Sequence, residues 1–270
     1  MTTMELPMAR ELADGVFWLG DCLVMEHEGE LIHAYSSLYL VAGREESLLV
    51  DTGHPKDWDV ITHQLDALHA DGVPEVTQVF PTHAEVPHAA NLGRLLTRYP
   101  QARAFGDVRD YHLFFPEVAD RFVTMGVGDR IELGGKTLML IEAAIKDLVT
   151  SLWAYVPEER VLFPGDGFAY MHHHKRGECW HFAEDVPDLP IDEFTALFNS
   201  YALYWTRFTD IEPFITALDD VLAQHPSDVI APGHGSPIRD VGQTLPKVKQ
   251  GLRIGSDTIL DRASTSQATS

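Results

Sequence analysis

This chain has few of the residues that mark secreted, membrane-bound or nucleic-acid-binding proteins. Only Cys22 and Cys179 supply thiols, and they lack the close spacing of a zinc motif or a redox pair, so both are predicted to be reduced thiols in a reducing compartment. Lysine and arginine number 20 against 41 aspartates and glutamates, which gives a formal charge of −21. Because this charge repels phosphate backbones and anionic lipids, nucleic acid is not expected as a partner.

Long hydrophobic segments are also missing. No apolar stretch approaches ~18 residues, and residues 1–10 lack a basic segment followed by a hydrophobic one, so we expect no membrane span and no secretory signal. A cytoplasmic location is the resulting prediction. The sequence has no repeat and no linker rich in proline or glycine, and its 45% hydrophobic residues suffice for one large core. We predict one domain over residues 1–262 and a flexible polar tail over 263–270.

A cluster of metal-ligand residues follows an apolar strand. The predicted strand 76–80 gives way to a helix through the sequence PTHAEVPH. Side chains at the carboxyl end of a strand and in the first turn of the next helix can converge on a point outside the sheet. His83, Glu85 and His88 are therefore candidate metal ligands, although the 14 histidines of the chain make chance pairs common.

Two later segments repeat this arrangement of a strand that ends in a turn with one ligand. The apolar segment 160–163 runs into PGDG, which presents Asp166, and the segment 228–231 runs into PGHG, which presents His234. Glycine and proline let the backbone turn sharply and approach closely at both positions. If each residue is considered alone, the default interpretation is that Asp166 is an ordinary turn aspartate and that His234 is a loop histidine. Together with the first motif they favour one shared metal site.

These motifs resemble the metallo-β-lactamase superfamily, and most closely the β-lactamase-like domain of flavodiiron proteins, which reduce dioxygen or nitric oxide. The resemblance also includes strand 35–41 leading to LLVDTG at 48–53, and the segment YVPEERVLF before Asp166. Glu85 stands in place of the second histidine of the usual zinc motif and points to the iron-binding branch. The family implies an α/β fold, an αββα sandwich in which two mixed sheets pack face to face with helices outside.

Hydrophobic periodicity predicts elements that fit such a sandwich. Strands are expected near 15–19, 36–42, 47–51, 76–80, 130–133, 136–142, 150–155, 161–164 and 228–231, and helices near 57–69, 87–98, 191–204, 210–224 and 245–260.

Two positions depart from the flavodiiron pattern. The family motif has an aspartate where this chain has Pro87, which offers no ligand atom. The next family histidine aligns with Asp147, counted back from Tyr155, so a carboxylate replaces an imidazole unless Asp147 is an ordinary loop aspartate. The resemblance implies six ligands on two metals that share one carboxylate: His83, Glu85 and Asp147 on the first metal, His88 and His234 on the second, and Asp166 bridging both.

The predicted cofactor is a pair of iron ions, with zinc or manganese as alternatives, because oxygen-rich ligand sets with open positions suit iron. Some superfamily members with a carboxylate at the position of Asp147 are diiron oxygenases. We therefore predict an oxidoreductase-like dinuclear protein that binds or activates dioxygen, with dioxygen or a small molecule as substrate. The alternatives are a metal-dependent hydrolase of an ester, thioester, lactone or phosphodiester, and an oxygen or redox sensor without turnover.

Flavodiiron reductases receive electrons from flavin mononucleotide on a flavodoxin domain that follows the lactamase-like domain. Only 35 residues follow Gly235 in this sequence. We therefore expect no bound flavin on this chain and predict an external electron-donor protein. A homodimer, as in flavodiiron proteins, is a further option.

Four more residues are candidates for hydrogen bonds to the ligands or to bound oxygen. Asp51 ends the predicted strand 47–51, and in the superfamily this aspartate hydrogen-bonds the metal-binding loop. Tyr170 and His172 follow Asp166 in a segment expected at the pocket rim, although a solvated loop without a specific role is the alternative. His33 lies beside a stretch that is close to the metals in flavodiiron-like folds. The sequence identifies no catalytic residue.

Overall fold

The computed structural model describes residues 7–173 and 179–267, with side chains through residue 256. Within these ranges the chain forms two mixed sheets of seven and five strands. The predicted α/β sandwich is confirmed.

The first sheet contains seven strands in sequence order. They are β1 (Arg10–Ala13), β2 (Val16–His27), β3 (Glu30–Ala42), β4 (Ser47–Val50), β5 (Val76–Phe80), β6 (Arg103–Gly106) and β7 (Phe122–Thr124). Strands β1 to β4 pair antiparallel, and β4 to β7 pair parallel. The parallel strands β4 and β5 therefore end at the same edge of the sheet, where Asp51 and the first histidine motif follow them.

The second sheet has five strands in the order β12-β11-β10-β9-β8. They are β8 (Arg130–Glu132), β9 (Thr137–Glu142), β10 (Leu152–Val156), β11 (Val161–Phe163) and β12 (Val229–Ile230). Strands β11 and β12 are parallel, and the other pairs are antiparallel. The parallel pair carries the turns with Asp166 and His234 to one edge.

Helices cover the outer faces of both sheets. They are α1 (Trp58–Ala70), α2 (Val86–Ala89), α3 (Leu92–Arg98), α4 (Tyr111–Phe114), α5 (Ile191–Tyr201), α6 (Glu212–Gln224) and α7 (Val241–Gln267). Side chains of α1 and α3 share a core with the first sheet, and those of α5 to α7 share one with the second. A third core, which includes Trp18, Tyr39 and Phe163, fills the space between the sheets. No helix within the described residues is long and apolar enough to cross a membrane.

Several element boundaries differ from those that periodicity predicted. Strands β2 and β3 extend to a hairpin turn at Glu28 and Gly29, which both have the positive φ that a type I′ turn requires. The residues around this turn are charged, as they would be in an exposed loop. Periodicity therefore did not predict the outer half of the hairpin. The predicted helix 87–98 is two helices, and the Asn91 amide between them donates to the carbonyls of Thr52 and Gly53 at 3.1 and 3.0 Å.

Strands β1, β6 and β7 were not predicted at all, because each has three or four residues and too short a pattern to register as a period. The last helix continues to Gln267, past the end predicted for it. Residues 268–270 of the predicted polar tail lie outside the described residues.

Gly43 allows the two sheets to approach closely. A Cβ atom at this position would lie 1.6 Å from the Leu133 carbonyl oxygen, which is backbone and cannot rotate away. We expect Gly43→Ala to lower the free energy of unfolding by about 2–3 kcal/mol, measured by urea denaturation. Gly126→Ala is the matched control, since a Cβ at Gly126 meets no atom within 4 Å. Equal stability of the two variants would show that this contact does not set the sheet spacing.

Candidate metal centre

The candidate ligands lie on loops that backbone hydrogen bonds hold together. The Leu152 amide, from the second sheet, donates to the Thr82 carbonyl of the first at 2.9 Å. In the other direction, Ser37 of β3 donates to the Gly233 carbonyl at 2.9 Å. The Gly233 amide donates to the Gly165 carbonyl at 2.8 Å. The loops after β5, β11 and β12 thus form one rim across both sheets.

Gly233 also lets the rim close around the ligands. A Cβ atom there would lie 2.6 Å from Cε1 of His88 and 3.2 Å from Oδ1 of Asp166. Glycine is therefore required for the approach of the His234 turn to these two side chains.

One group of ligand atoms comes from His83, Glu85 and Asp147, whose donor atoms lie within 4.8 Å of one another. Nε2 of His83 and Oδ2 of Asp147 are 2.7 Å apart, and both side chains are buried. Asp147 is fixed by the Ser151 hydroxyl, which donates to its Oδ1. Glu85 is the exposed member of the group, at the N-terminal end of α2.

A second group contains His83, His88 and Asp166, again within 4.8 Å. Oδ1 of Asp166 is 3.3 Å from Nε2 of His88 and 3.7 Å from Nε2 of His234. Asp166 therefore lies between the imidazoles, as a bridging carboxylate would. The structure brings all six predicted ligands together.

The three imidazoles are each held through Nδ1. His88 Nδ1 donates to Oδ2 of Asp51 at 2.9 Å, and His234 Nδ1 donates to the Tyr35 carbonyl. The Thr82 hydroxyl donates to Asp51 at 2.8 Å, so its lone pair accepts from His83 Nδ1 at 3.0 Å. Because Nδ1 carries the proton in each ring, Nε2 presents a lone pair to the site, which is the tautomer of a histidine that binds a metal through Nε2.

Asp51 supports this arrangement from behind the ligands. Besides His88, its carboxylate accepts from the backbone amide and the hydroxyl of Thr82 at 2.7 and 2.8 Å. Only 1% of the residue is exposed, and its backbone has a φ of 62°. This placement matches the supporting position predicted for Asp51. Thr82 and Tyr35 were missed, because the sequence does not show which hydroxyl or strand carbonyl accepts a hydrogen bond from each imidazole.

The local electrostatics keep the carboxylates ionised. Burial opposes the charge of Asp166, but His234, His88 and His83 outweigh it and hold the pKa of Asp166 well below its usual range. Burial likewise opposes the charge of Asp147, but the neighbouring His83 and the hydrogen bond from the Ser151 hydroxyl lower the pKa of Asp147 below normal. Ionised carboxylates are the form that binds metal ions.

The ligand atoms themselves test whether a metal fits here. Nε2 of His83, Nε2 of His88, Oδ2 of Asp147 and Oδ1 of Asp166 are buried and have no hydrogen-bond partner within the described part of the chain. They are acceptors that face one another at 2.7 and 3.3 Å. Facing lone pairs in a buried space are costly unless a cation lies between them. The residues therefore fit a metal centre.

The remaining candidates lie elsewhere. Tyr170 is buried, and its hydroxyl donates to the Ser236 carbonyl at 3.2 Å, beside the His234 turn. His33 and His172 are grouped instead with Cys22 and Cys179. His33 lies two residues before Tyr35 along β3, which moves it roughly 7 Å beyond the carbonyl that meets His234. The sequence shows no metal-binding spacing between the two cysteines, because the fold alone brings them together with the two histidines.

Comparisons with known proteins identify a family and several relatives. The family model of the metallo-beta-lactamase superfamily matches residues 33–234. The chain is 29% identical over 171 residues to coenzyme F420H(2) oxidase of Methanothermobacter marburgensis, covering 59% of this chain and 42% of the relative. It is 27% identical over 251 residues to the anaerobic nitric oxide reductase flavorubredoxin of Pectobacterium carotovorum, covering 86% and 46%.

The chain thus spans about half the length of the curated relatives it matches. Among solved structures, rubredoxin oxygen:oxidoreductase of Desulfovibrio gigas superposes with a TM-score of 0.72 at 18% identity, covering 92% of this chain and 61% of that one. Sheet order, site placement and the family match lead to one conclusion: the chain belongs to the metallo-β-lactamase superfamily.

Proposed function

We propose that this protein is a dinuclear iron oxidoreductase that binds and activates dioxygen. The observation that carries the proposal is the set of buried lone pairs from two imidazoles and two aspartates that face one another, with His234 Nε2 3.7 Å from Asp166. His83, Glu85 and Asp147 would hold the first iron, His88 and His234 the second, and Asp166 would bridge them.

The donor set supports iron over zinc. It contains three carboxylates and three imidazoles, and no thiolate. Anionic oxygen ligands stabilise the ferric state, and two histidines with a carboxylate leave open positions. The iron pair would supply electrons and coordination positions to dioxygen. The names of the similar proteins, an F420H(2) oxidase and a nitric oxide reductase flavorubredoxin, also favour redox chemistry.

Residues around the metal centre would shield one side of it from water and leave an entry route on the other. The Phe198 ring lies 5.2 Å from the His234 ring and would shield that side of the imidazole from water. On the other side, a pocket of about 360 Å³ adjoins Glu85 and is lined mainly by apolar side chains, including Tyr111, Phe114 and Phe115. We propose this pocket as the entry route, because a small apolar gas partitions into apolar surroundings more readily than water does.

Electrons would come from a donor protein that contacts the rim of this pocket. Three exposed apolar side chains support that placement: Val86 at 53%, Leu113 at 68% and Phe114 at 69% exposure. A second copy of the chain in a homodimer would fit the same surface. We place the protein in the cytoplasm, where a reducing environment keeps Cys22 and Cys179 as thiols.

The test is metal analysis of protein purified anaerobically without metal supplementation, followed by exposure to air. We expect about two irons per chain and a change in visible absorption when dioxygen is admitted. About one iron would show that Pro87 at the family's aspartate position weakens a site. Zinc without iron, together with turnover of generic esters, would overturn the proposal in favour of a hydrolase.

A further inference from the structure

Four metal-binding side chains meet at a second place in the fold, apart from the six ligands described above. They are Cys22, His33, His172 and Cys179, with donor atoms all within 4.8 Å of one another. Sγ of Cys22 is 3.3 Å from Nδ1 of His33 and 3.7 Å from Nε2 of His172, and Sγ of Cys179 is 3.9 Å from Nδ1 of His33. We call these four residues the Cys/His cluster.

The separations agree with tetrahedral coordination. Zinc lies about 2.3 Å from a cysteine sulfur and about 2.0–2.1 Å from a histidine nitrogen, so a tetrahedral site places sulfur and nitrogen about 3.6 Å apart. The three observed separations of 3.3, 3.7 and 3.9 Å lie on both sides of that value. A set of two sulfurs and two nitrogens in this geometry is typical of zinc.

The backbone holds the cluster in place. Cys22 pairs with Tyr35 in the β2–β3 hairpin, which makes His33 its diagonal neighbour on the same face. His33 and His172 form an antiparallel bridge, with amide-to-carbonyl hydrogen bonds of 2.7 and 2.9 Å in the two directions. The amide of Trp180, next to Cys179, donates to the Tyr35 hydroxyl at 2.6 Å. Three separate segments are therefore fixed around one point.

Burial and charge suit a cation with two thiolates. Cys22, His33 and His172 are 9%, 6% and 5% exposed, and Cys179 is half-buried. Two thiolates and two neutral imidazoles around one zinc ion carry no net charge, which is the form that a buried site tolerates best. Both cysteines are thiols in the structure, not a disulfide.

We propose that the Cys/His cluster binds one zinc ion and that this ion fastens the segment after Asp166 to the β2–β3 hairpin. Tyr35 lies between the two centres: its ring stacks on His172 with centroids 4.5 Å apart, and its carbonyl accepts from His234. The zinc ion would therefore position Tyr35, and through it His234. The proposal concerns different ligands from the dinuclear centre and does not depend on its metal.

Zinc and iron per chain, measured for full-length protein purified anaerobically with a reductant, test this proposal. We expect Cys22→Ser to carry about one zinc fewer than the wild type, while it keeps most of its iron. His83→Ala is the matched control and should lose iron but keep the zinc bound at the cluster. Equal zinc in the wild type and Cys22→Ser would overturn the proposal, whether or not the dinuclear centre contains iron.

Cobalt provides a readout that needs no variant. Wild-type protein produced with cobalt should show a thiolate-to-cobalt charge-transfer band in the near ultraviolet, which imidazoles and carboxylates cannot give. Cys179→Ser, at the half-buried position, should lose about half of the band or more, because one of the two thiolates is gone, and it serves as the variant where Cys22→Ser fails to fold. A cobalt-loaded wild type without this band, or a protein isolated with a disulfide between Cys22 and Cys179, would contradict the zinc site.

Discussion

Asp166→Ala should remove both metal ions and abolish the reaction with dioxygen. Oδ1 of Asp166 lies 3.3 Å from His88 Nε2 and 3.7 Å from His234 Nε2, and the residue shares a ligand group with His83. Its loss takes one ligand from each metal together with the charge that both share. We expect the iron content to fall from about two per chain to well below one. Iron analysis and oxygen consumption by the anaerobically purified variant measure this effect.

His83→Ala is the comparison that separates bridging from single-site ligation. His83 faces Asp147 and Glu85, which would hold the first iron with it, so its loss should leave about one iron per chain. The far-ultraviolet circular dichroism of both variants should match that of the wild type, because neither side chain supports a strand. Equal metal content in the wild type and either variant would contradict the assigned ligand set. Equal losses in the two variants would argue against Asp166 as the bridge.

Asp51→Ala should destabilise the fold itself, even in metal-free protein. The substitution leaves His88 Nδ1, the Thr82 amide and the Thr82 hydroxyl without their buried acceptor. Removing one partner of a buried, charged network costs roughly 3–5 kcal/mol. The positive φ of 62° adds strain with alanine of about 1 kcal/mol. Urea denaturation in the presence of a chelator measures the loss without a contribution from metal binding.

Two other variants at position 51 separate the effect of the lost hydrogen bonds from that of backbone strain. Asp51→Gly accepts the positive φ without strain but lacks the carboxylate, so it should be nearly as unstable as Asp51→Ala. Asp51→Asn keeps an acceptor oxygen for Thr82 and tolerates the left-handed backbone, so it should retain much of the stability. An Asp51→Gly protein as stable as the wild type would mean that backbone strain, and not the hydrogen bonds, explains the effect of alanine.

The sequence predicted those parts of the molecule that depend on local patterns. His83, Asp166 and His234 follow apolar strands in turns with glycine or proline, and the structure brings them together because β5, β11 and β12 end at one rim. Asp147 has no such pattern, and only the family resemblance assigned it. The Cys/His cluster could not be predicted, since its four residues meet through hairpin register and a bridge between distant segments.

One signal for that cluster was present. A type I′ turn at Glu28 and Gly29 fixes the register of β2 against β3, and this register makes Cys22 and His33 neighbours. The charged residues around the turn concealed it, because an exposed hairpin tip and a loop have the same polarity. The position of Cys179 beside the hairpin depends on tertiary structure, which the sequence pattern does not show.

The division of ligands between the two sheets has a consequence for how the protein assembles. His83, Glu85 and His88 come from the N-terminal half of the chain, and Asp147, Asp166 and His234 come from the C-terminal half. Neither half alone offers a complete coordination sphere, so metal capture must follow the docking of the two halves. Bound metal ions would then stabilise the contact between the two sheets, whose ligand-bearing segments are far apart in the sequence.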